Sequence, residues 1–267
     1  MKYKLTNNTK THFGIKLYQI EALKDFNDVK KGDLGGWIEK EENLSQKGNC
    51  WVYRDSQVYR DSQVFGDAQV FENAQVYGDS RVFGDAQVFE NAQVYGDSRV
   101  SGNAQIYGYS LVSGNAQVFG NAQIYGDSRV SGNARVSQNQ RLTNGHCVTD
   151  LSKTIKESIR CQTGLLVVND KVIVYKQVKK DLTSFYDDSF KYEIGKMVEV
   201  KNCDLSNKSC ASGLHGSNAN YWNNSESALE STFLAIEVHI DDVITCQEGK
   251  IRFKKGLVLG TYDIKEN

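Results

Sequence analysis

The side chains best suited to bind a ligand lie in one short stretch near the C-terminal end, from Cys210 to Trp222 (CASGLHGSNANYW). Glycines flank a polar histidine in this stretch, and glycine lets a ligand approach the backbone closely. The two adjacent aromatic rings can stack on a base or a sugar. The pattern therefore predicts a ligand pocket whose contacts include Ser212, His215, Tyr221 and Trp222.

A second segment is predicted to reach the same pocket. The run GLLVVNDKVIVYKQV is typical of a hairpin, because two β-rich runs flank Asn169 and Asp170. Its second strand carries Tyr175 and Lys176, and Lys176 would supply the positive charge that a phosphate group needs. An alternative stays open, in which the glycine-flanked histidine only stabilises a structural turn.

No cluster of residues makes a convincing metal site. Cys203, Cys210 and His215 are close in sequence, but their spacing fits no zinc motif. A series of aspartates in the middle of the chain could offer oxygen ligands to Ca²⁺, but asparagine replaces aspartate at many equivalent positions, which favours bend-forming residues. The aspartates are Asp55, Asp61, Asp67, Asp79, Asp85 and Asp97, and the asparagines are Asn73, Asn91, Asn103, Asn115 and Asn121. We therefore predict neither a metal ion nor a cofactor.

Composition and charge exclude several classes of protein. The 267 residues include 32 basic and 33 acidic ones, with a formal net charge of -1, so there is no broad surface for neutralising DNA phosphates. No apolar run is long enough to span a membrane, and the N-terminal stretch does not look like a signal peptide. The six cysteines form no CxxC pair and are expected to be buried thiols. These features predict a cytoplasmic protein that binds neither DNA nor a membrane.

The middle of the chain, residues 46–150, consists of six-residue repeats. Residues 64–81 and 82–99 have the same sequence, VFGDAQVFENAQVYGDSR, and each divides into three hexapeptides. A period of six fits neither a helix nor a hairpin meander, whereas a triangular coil with three short strands per turn satisfies it. The first residue of each repeat is aliphatic and should point inward, together with a small residue four places on. The inward aliphatic series is Val52, Val58, Val64, Val70, Val76, Val82, Val88, Val94, Val100, Ile106, Val112, Val118, Ile124, Val130, Val136, Leu142 and Val148.

This pattern resembles the hexapeptide-repeat proteins, and the resemblance implies a left-handed parallel β-helix of nearly six coils. Many members of that family are acyltransferases that use a histidine, and one class of carbonic anhydrases in it binds zinc through three histidines. The histidines of this chain, His12, His146, His215 and His239, lie outside the regular coils. Both activities are therefore disfavoured, and the β-helix is predicted to be a scaffold.

The residue after each inward aliphatic should point outward, and taking every eighteenth residue defines three faces. Only one face is aromatic in all five coils, through Tyr53, Phe71, Phe89, Tyr107 and Tyr125. A continuous exposed strip of aromatic side chains rarely stays in contact with water. We therefore predict self-association through this face, most simply as a homotrimer. The alternative is that the rings only stack on neighbouring coils and cover the backbone.

The β-helix is predicted to have a cap at residues 1–45 and to be joined by a linker, residues 151–160, to a small α+β domain at 161–267. The run GDLGGWIE in the cap resembles the first segment of phage and prophage proteins with the same repeats. The C-x-x-G-L-H run at Cys210 resembles a motif of phage C-terminal domains. Both resemblances imply a viral gene product.

A fainter resemblance is to ADP-ribosyltransferase folds. In that comparison Tyr175 and Lys176 would lie on the first strand, and Glu237 would lie near the place of the catalytic glutamate. Lys176 replaces the usual Arg or His, and His215 replaces the usual Tyr, so activity is disfavoured.

The sequence thus predicts a mainly β protein, with a left-handed parallel β-helix, an N-terminal cap and a small C-terminal α+β domain. The leading prediction is non-enzymatic binding. An oligomeric phage scaffold would present C-terminal domains that bind or sequester a small nucleotide-like ligand, including a host immune signal, in the host cytoplasm as an anti-defence protein. The alternatives are an ADP-ribosyltransferase-like enzyme and a structural virion or assembly protein.

Overall fold

The computed structural model describes residues 1–137, 140–143, 145–147, 154–204, 211–222 and 231–262. The chain forms two compact units, Met1–Ser152 and Lys153–Asn267. The fold is mainly β, as the sequence predicts. None of the helices in these described ranges has the length and apolarity needed to cross a membrane.

Three strands at the N-terminus begin the first unit: β1 (Tyr3–His12), β2 (Ile15–Ala22) and β3 (Leu34–Ile38). β1 and β2 pair antiparallel, as do β2 and β3. β3 then pairs parallel with the repeats, Ile38 lying opposite Val58. The N-terminal strands therefore extend one sheet of the solenoid and cover its first coil, which is how solenoids protect the end of their core.

The repeats form a parallel solenoid of nearly six coils, three strands to the coil. Its strands are β4 (Trp51–Val52), β5 (Gln57–Val58), β6 (Gln63–Val64), β7 (Gln69–Val70), β8 (Gln75–Val76), β9 (Arg81–Val82), β10 (Gln87–Val88), β11 (Gln93–Val94), β12 (Arg99–Val100), β13 (Gln105–Ile106), β14 (Leu111–Val112), β15 (Gln117–Val118), β16 (Gln123–Tyr125), β17 (Arg129–Val130), β18 (Arg135–Val136), β19 (Arg141–Thr143) and β20 (His146–Cys147). They build three sheets, ordered β5-β8-β11-β14-β17-β20, β4-β7-β10-β13-β16-β19 and β6-β9-β12-β15-β18. The prediction of a parallel β-helix is confirmed, while its left-handed winding stays a prediction from the resemblance.

The core of the solenoid is a column of aliphatic side chains. Every predicted inward aliphatic from Val52 to Leu142 is at most 1% exposed, so the predicted register is confirmed over that range. The small residues beside them are fully buried as well. Most of the serines among them have carbonyl acceptors for their hydroxyls, whereas Ser98 Oγ has no partner among the described residues. Ser62 Oγ lies 2.8 Å from Tyr59 O and 3.1 Å from Val76 O in the next coil, so its proton has a carbonyl acceptor either way.

The bends between strands explain why glycine recurs. Gly66 and Gly84 both have φ near +72°, a left-handed conformation that glycine adopts without strain. Identical bends stack directly, and a Cβ on Gly84 would lie only 3.0 Å from the backbone nitrogen of Gly102. Glycine at the bend is therefore favoured both by the backbone angle and by the close spacing of the coils, although Arg54, Arg60, Glu72 and Glu90 occupy equivalent positions at positive φ.

The last coil differs from the prediction by one residue. Cys147, and not Val148, lies opposite Val130 and is fully buried. The chain between Leu142 and Cys147 is one residue shorter than a regular repeat and contains Gly145, at φ +157°. Val148 lies outside the described residues. The shift also brings His146 onto β20, so one histidine does lie on a coil.

In its described residues, the second unit combines one α-helix, α1 (Ile155–Thr163), with two antiparallel sheets, which matches the predicted small α+β domain. The larger sheet has the order β21-β24-β27-β22 and the smaller one β23-β26-β25. The strands are β21 (Lys171–Lys179), β22 (Met197–Glu199), β23 (Leu214–Gly216), β24 (Ser231–His239), β25 (Val243–Gln247), β26 (Lys250–Phe253) and β27 (Lys255–Tyr262). Val174, Ile236 and Phe253 are among the fully buried residues of their shared core.

Two predictions at the start of this unit need correction. The predicted linker 151–160 runs into α1, whose Ile159 is fully buried in the core of the second unit, so the helix belongs to that unit. The predicted hairpin keeps its turn, with Asn169 and Asp170 both at positive φ. Its first arm contributes only one bridge, Val168 to Lys171, and β21 pairs along its whole length with β24 instead.

Candidate functional site

A cavity of about 750 Å³ lies within the second unit. Strands β21 and β23, the segment 184–192 and the stretch after β22 contribute to its walls. Of the six predicted ligand contacts, five line this cavity: Lys176, Ser212, His215, Tyr221 and Trp222. The two segments singled out from the sequence therefore meet at one place in the fold.

The glycines around the predicted histidine serve strand packing. A Cβ on Gly216 would lie 2.5 Å from Val174 Cγ2, so the glycine lets β23 lie directly against β21. Gly213 has φ +150°, and a Cβ there would lie 2.9 Å from Cγ of Arg252. The sequence predicts that these glycines let a ligand approach the backbone, but in the structure they make room for a neighbouring strand and for the Arg252 side chain.

His215 is held at the centre of β23, opposite Arg252 of β26. Its Nε2 is buried and has no hydrogen-bond partner among the described residues. Burial lowers the pKa of His215 to about 4, and the positive charges of Lys176, Lys250 and Arg252 act in the same direction. The ring is therefore neutral at physiological pH, and it can offer a hydrogen bond to a ligand but no positive charge.

Lys176 supplies the cation that His215 does not. It pairs with Leu234 on the face of β21 that also carries the core residues Val172 and Val174, and it is only 7% exposed. Its Nζ donates to the His215 carbonyl oxygen at 3.4 Å and lies 5.9 Å from the centre of the Tyr192 ring. Burial lowers the pKa of Lys176 to about 8, so the amine is mostly charged at pH 7 and close to titrating.

The two predicted stacking residues lie on a short 3₁₀ helix, Ala219–Trp222. Their rings meet edge to face at 4.9 Å between centres. Trp222 Nε1 donates to the Tyr175 carbonyl oxygen at 2.9 Å, which fixes the indole on β21. Tyr221 is 38% exposed and therefore offers ring surface to a ligand.

The remaining predicted contacts have different roles. Tyr175 does not line the cavity; its ring packs on Tyr262 at 4.7 Å, and its carbonyl holds Trp222. Ser212 lines the cavity, but its hydroxyl already donates to the Asn202 carbonyl oxygen at 2.7 Å. Cys210, the first residue of the predicted motif, lies outside the described residues.

Sequence reasoning missed several cavity residues that carry charge or aromatic surface. Lys250 and Lys201 line the cavity, together with the carboxylates of Asp187 and Glu199. The buried ring of Tyr192 forms part of the wall. These residues come from turns and strand ends far apart in the sequence, and nothing in their immediate neighbours marks them.

The ADP-ribosyltransferase comparison finds no support in the geometry. Strand register places Glu237 opposite Ile173 and Lys176 opposite Leu234, so the two charged groups project from opposite faces of the sheet. Glu237 is instead paired with Lys171, with 2.8 Å between Oε1 and Nζ. The proposed catalytic glutamate therefore does not share the cavity with Lys176.

On the solenoid, four of the five rings of the predicted all-aromatic face form a stacked ladder, whereas Tyr53 meets Phe71 edge to face at 6.3 Å between ring centres. Phe71, Phe89, Tyr107 and Tyr125 stack in parallel at 4.8–5.1 Å between successive centres. Each ring stays partly exposed within this chain. Beside the rings runs a second ladder of side-chain amides, Gln69, Gln87, Gln105 and Gln123, joined by hydrogen bonds of 2.9–3.3 Å. The face is therefore a flat, ordered strip of aromatic and amide groups.

The remaining solenoid features singled out from the sequence are the corner aspartates and the histidine of the last coil. The corner aspartates lie in turns, and no group of three or more potential metal-binding side chains occurs in the described part of the chain. His146 on β20 is exposed and lies 2.7 Å from the hydroxyl of Ser131 on the same sheet.

Comparison with known proteins identifies the repeats. Residues 92–108, 122–138 and 128–142 match a family model described as the YdcK β-solenoid repeat. The first unit is a hexapeptide-repeat β-solenoid. A stretch of 43 residues is 54% identical to a protein of Escherichia coli (strain K12) named "Uncharacterized acetyltransferase YdcK". That match covers 16% of this chain and 13% of the relative's length, so the relative's activity is not transferred to the whole chain.

Proposed function

We propose that the second unit binds a small anionic ligand with a flat aromatic group, of the nucleotide type, and that the solenoid is the scaffold that presents it. The observation that carries the proposal is the cavity that brings Lys176, His215, Tyr221 and Trp222 together. A phosphate would pair with the Lys176 ammonium, a charge-assisted contact. A base would stack on the exposed tyrosine ring, which is sequence-tolerant because every base has a flat face.

We propose a viral origin for the protein, because the cap and the C-x-x-G-L-H run resemble phage proteins. A viral protein with such a domain would sequester a nucleotide signal of its host. The flat aromatic face of the solenoid supports association with further copies of the same chain, which we propose to form a homotrimer. Each assembly would then present three binding sites.

Calorimetry with a panel of ADP-ribose, NAD and cyclic dinucleotides tests the binding proposal. His215→Ala removes a neutral hydrogen-bonding ring and should weaken binding by about 1–3 kcal/mol if its partner is a ligand phosphate. His239→Ala is the matched control, because His239 is a partly exposed residue of the same unit, and its Nδ1 accepts only a local hydrogen bond from Asp241 N. If no ligand of the panel gives a heat of binding, or if both variants weaken binding equally, the proposal is refuted.

Measuring nicotinamide release from NAD in the same samples distinguishes a binding protein from an enzyme. A binding protein leaves NAD intact over hours, whereas an ADP-ribosyltransferase-like enzyme releases nicotinamide. Because Glu237 projects from the sheet face opposite Lys176, we expect no release.

Acyl transfer on the solenoid is a second candidate, favoured by the name of the Escherichia coli relative. Acyltransferases of the hexapeptide-repeat family use a histidine, and here His146 lies on a coil, within hydrogen-bond distance of Ser131. Incubation with acetyl coenzyme A and a mixed panel of amines and alcohols tests this candidate. Thiol release that is lost in His146→Ala would support it, and no release would exclude it for that panel.

A further inference from the structure

The amine of Lys176 is placed unusually for a lysine. Its stem runs along the inward face of β21 beside Val172 and Val174, and its Nζ reaches residues that line the cavity. Its described contacts are the His215 carbonyl oxygen and the face of Tyr192. Neither is a carboxylate, and no ion pair joins Lys176 to any residue in the described ranges. A cation-forming group is thus buried without an ion-pair partner among the described residues.

We propose that Lys176 is a nucleophilic amine that captures the carbonyl group of a phosphate-bearing aldehyde as an imine. The ammonium first loses a proton to water. The neutral amine then adds to the aldehyde carbon, and the carbinolamine loses one water molecule to leave a C=N bond. Atoms balance without a redox partner, since amine and aldehyde give imine and water.

Three features of the cavity support this chemistry. Burial lowers the pKa of the amine to about 8, and lysines desolvated in apolar pockets are the ones that form such adducts. The volume of about 750 Å³ accommodates a molecule of nucleotide size. Lys201 and Lys250 also line the cavity and can hold a phosphate while Lys176 reacts. Asp187 and Glu199 belong to the same lining and restrict how many negative charges fit.

The inference rests on the proposed binding site and narrows its ligand. A nucleotide without a carbonyl group would bind reversibly, whereas a sugar phosphate in its open-chain aldehyde form would be held covalently. The aldehyde is therefore the group that would distinguish a captured ligand from a merely bound one.

The test uses the full chain with pyridoxal 5′-phosphate, which carries an aldehyde, an aromatic ring and a phosphate, and sodium cyanoborohydride to reduce any imine. Peptide mapping by mass spectrometry locates the reduced adduct at pH 7.5. Lys176 should be modified at least about tenfold faster than Lys201, whose amine lies at the same cavity but is exposed. Lys176→Arg should abolish the fast adduct, and Lys196→Arg, at an exposed lysine that does not line the cavity, should keep it.

Equal labelling of Lys176 and Lys201, or a fast adduct that persists in Lys176→Arg, would overturn the inference. Calorimetry with ADP, which has no reactive carbonyl, separates this result from the proposed function. Heat from ADP without a fast adduct at Lys176 refutes imine formation alone. A fast adduct with no heat from any nucleotide supports the inference and refutes the nucleotide proposal alone.

Discussion

Replacing Lys176 with methionine should make the ligand-free second unit more stable. Methionine keeps an unbranched stem of similar volume and removes the buried ammonium. The fall in pKa from 10.5 to about 8 means that the folded chain holds this charge at a cost of about 3 kcal/mol at pH 7. Loss of the hydrogen bond to the His215 carbonyl offsets part of the gain. We therefore expect a net increase in unfolding free energy of about 1–3 kcal/mol.

The pH dependence makes this prediction specific. Between pH 8 and pH 10.5 the unfolded chain binds more protons at this lysine than the folded chain does, so the wild-type unit gains stability as the pH rises through that window. The difference in unfolding free energy between Lys176→Met and the wild type should therefore become smaller from pH 7 to pH 10. Denaturant-dependent hydrogen exchange in the Lys171–Lys179 strand measures it, because this readout reports the second unit separately from the solenoid.

A surface lysine provides the matched control. Lys196 forms an exposed pair with Glu193, at 2.6 Å between Nζ and Oε2, and such pairs contribute little. Lys196→Met should leave the unfolding free energy almost unchanged. A Lys176→Met protein that is no more stable than wild type at pH 7, or whose gain is constant with pH, would refute the assignment of an unpaired buried ammonium.

The other predictions concern the core, the aromatic face and the histidine. Val88→Asp places a carboxylate in a fully buried aliphatic column and should lower the unfolding free energy by several kcal/mol, about a lost valine burial plus an unpaired charge. Val88→Ile should lower it by less than about 1.5 kcal/mol, and similar melting temperatures for both variants would contradict the inward placement. The double variant Phe89→Lys/Tyr107→Lys should convert the proposed trimer into monomers, because like charges would meet across a symmetric contact. Light scattering measures the mass, and an unchanged mass would reject this face as the interface. The pKa of His215 is lowered from 6.5 to about 4, so between those values the unfolded state binds a proton that the folded state does not. Full linkage gives a loss of about 2.4 kcal/mol for the second unit as the pH falls from 7 to 4.5, and solvent screening of this partly exposed ring reduces the expected loss to about 1–2 kcal/mol. Denaturation curves of His215→Gln should lack this loss, and equal losses in both proteins would disprove its origin in His215.

The solenoid could be derived from the sequence because its determinants are local and repeated. Each hexapeptide carries its own inward aliphatic, small residue and bend, so one register error would have placed every valine on the wrong face. The prediction ended where the repetition ends. Cys147 replaces Val148 in the last coil because the segment after Leu142 is one residue short, and a period of six cannot anticipate a single deletion.

The cavity was predicted only where its residues are contiguous. The stretch around His215 and Trp222 could be recognised from composition, and Lys176 from its place on a predicted strand. Lys250, at the start of β26, and Tyr192, in the segment before β22, both line this cavity, and only the fold brings them together. The unpaired state of Lys176 also depends on what surrounds it in space, which a list of neighbours along the chain does not contain.

The identical eighteen-residue blocks at 64–81 and 82–99 have a consequence for inheritance. Each block is one complete coil, because residues eighteen apart pair directly across the sheets, as Val70 does with Val88. Recombination between the two copies would remove or add a whole coil, about 4.8 Å of solenoid, and every side chain beyond the junction would keep its face. A change of six or twelve residues would instead rotate all later coils onto a different face. A lineage carrying this gene can thus change the number of coils in a single step while the protein still folds.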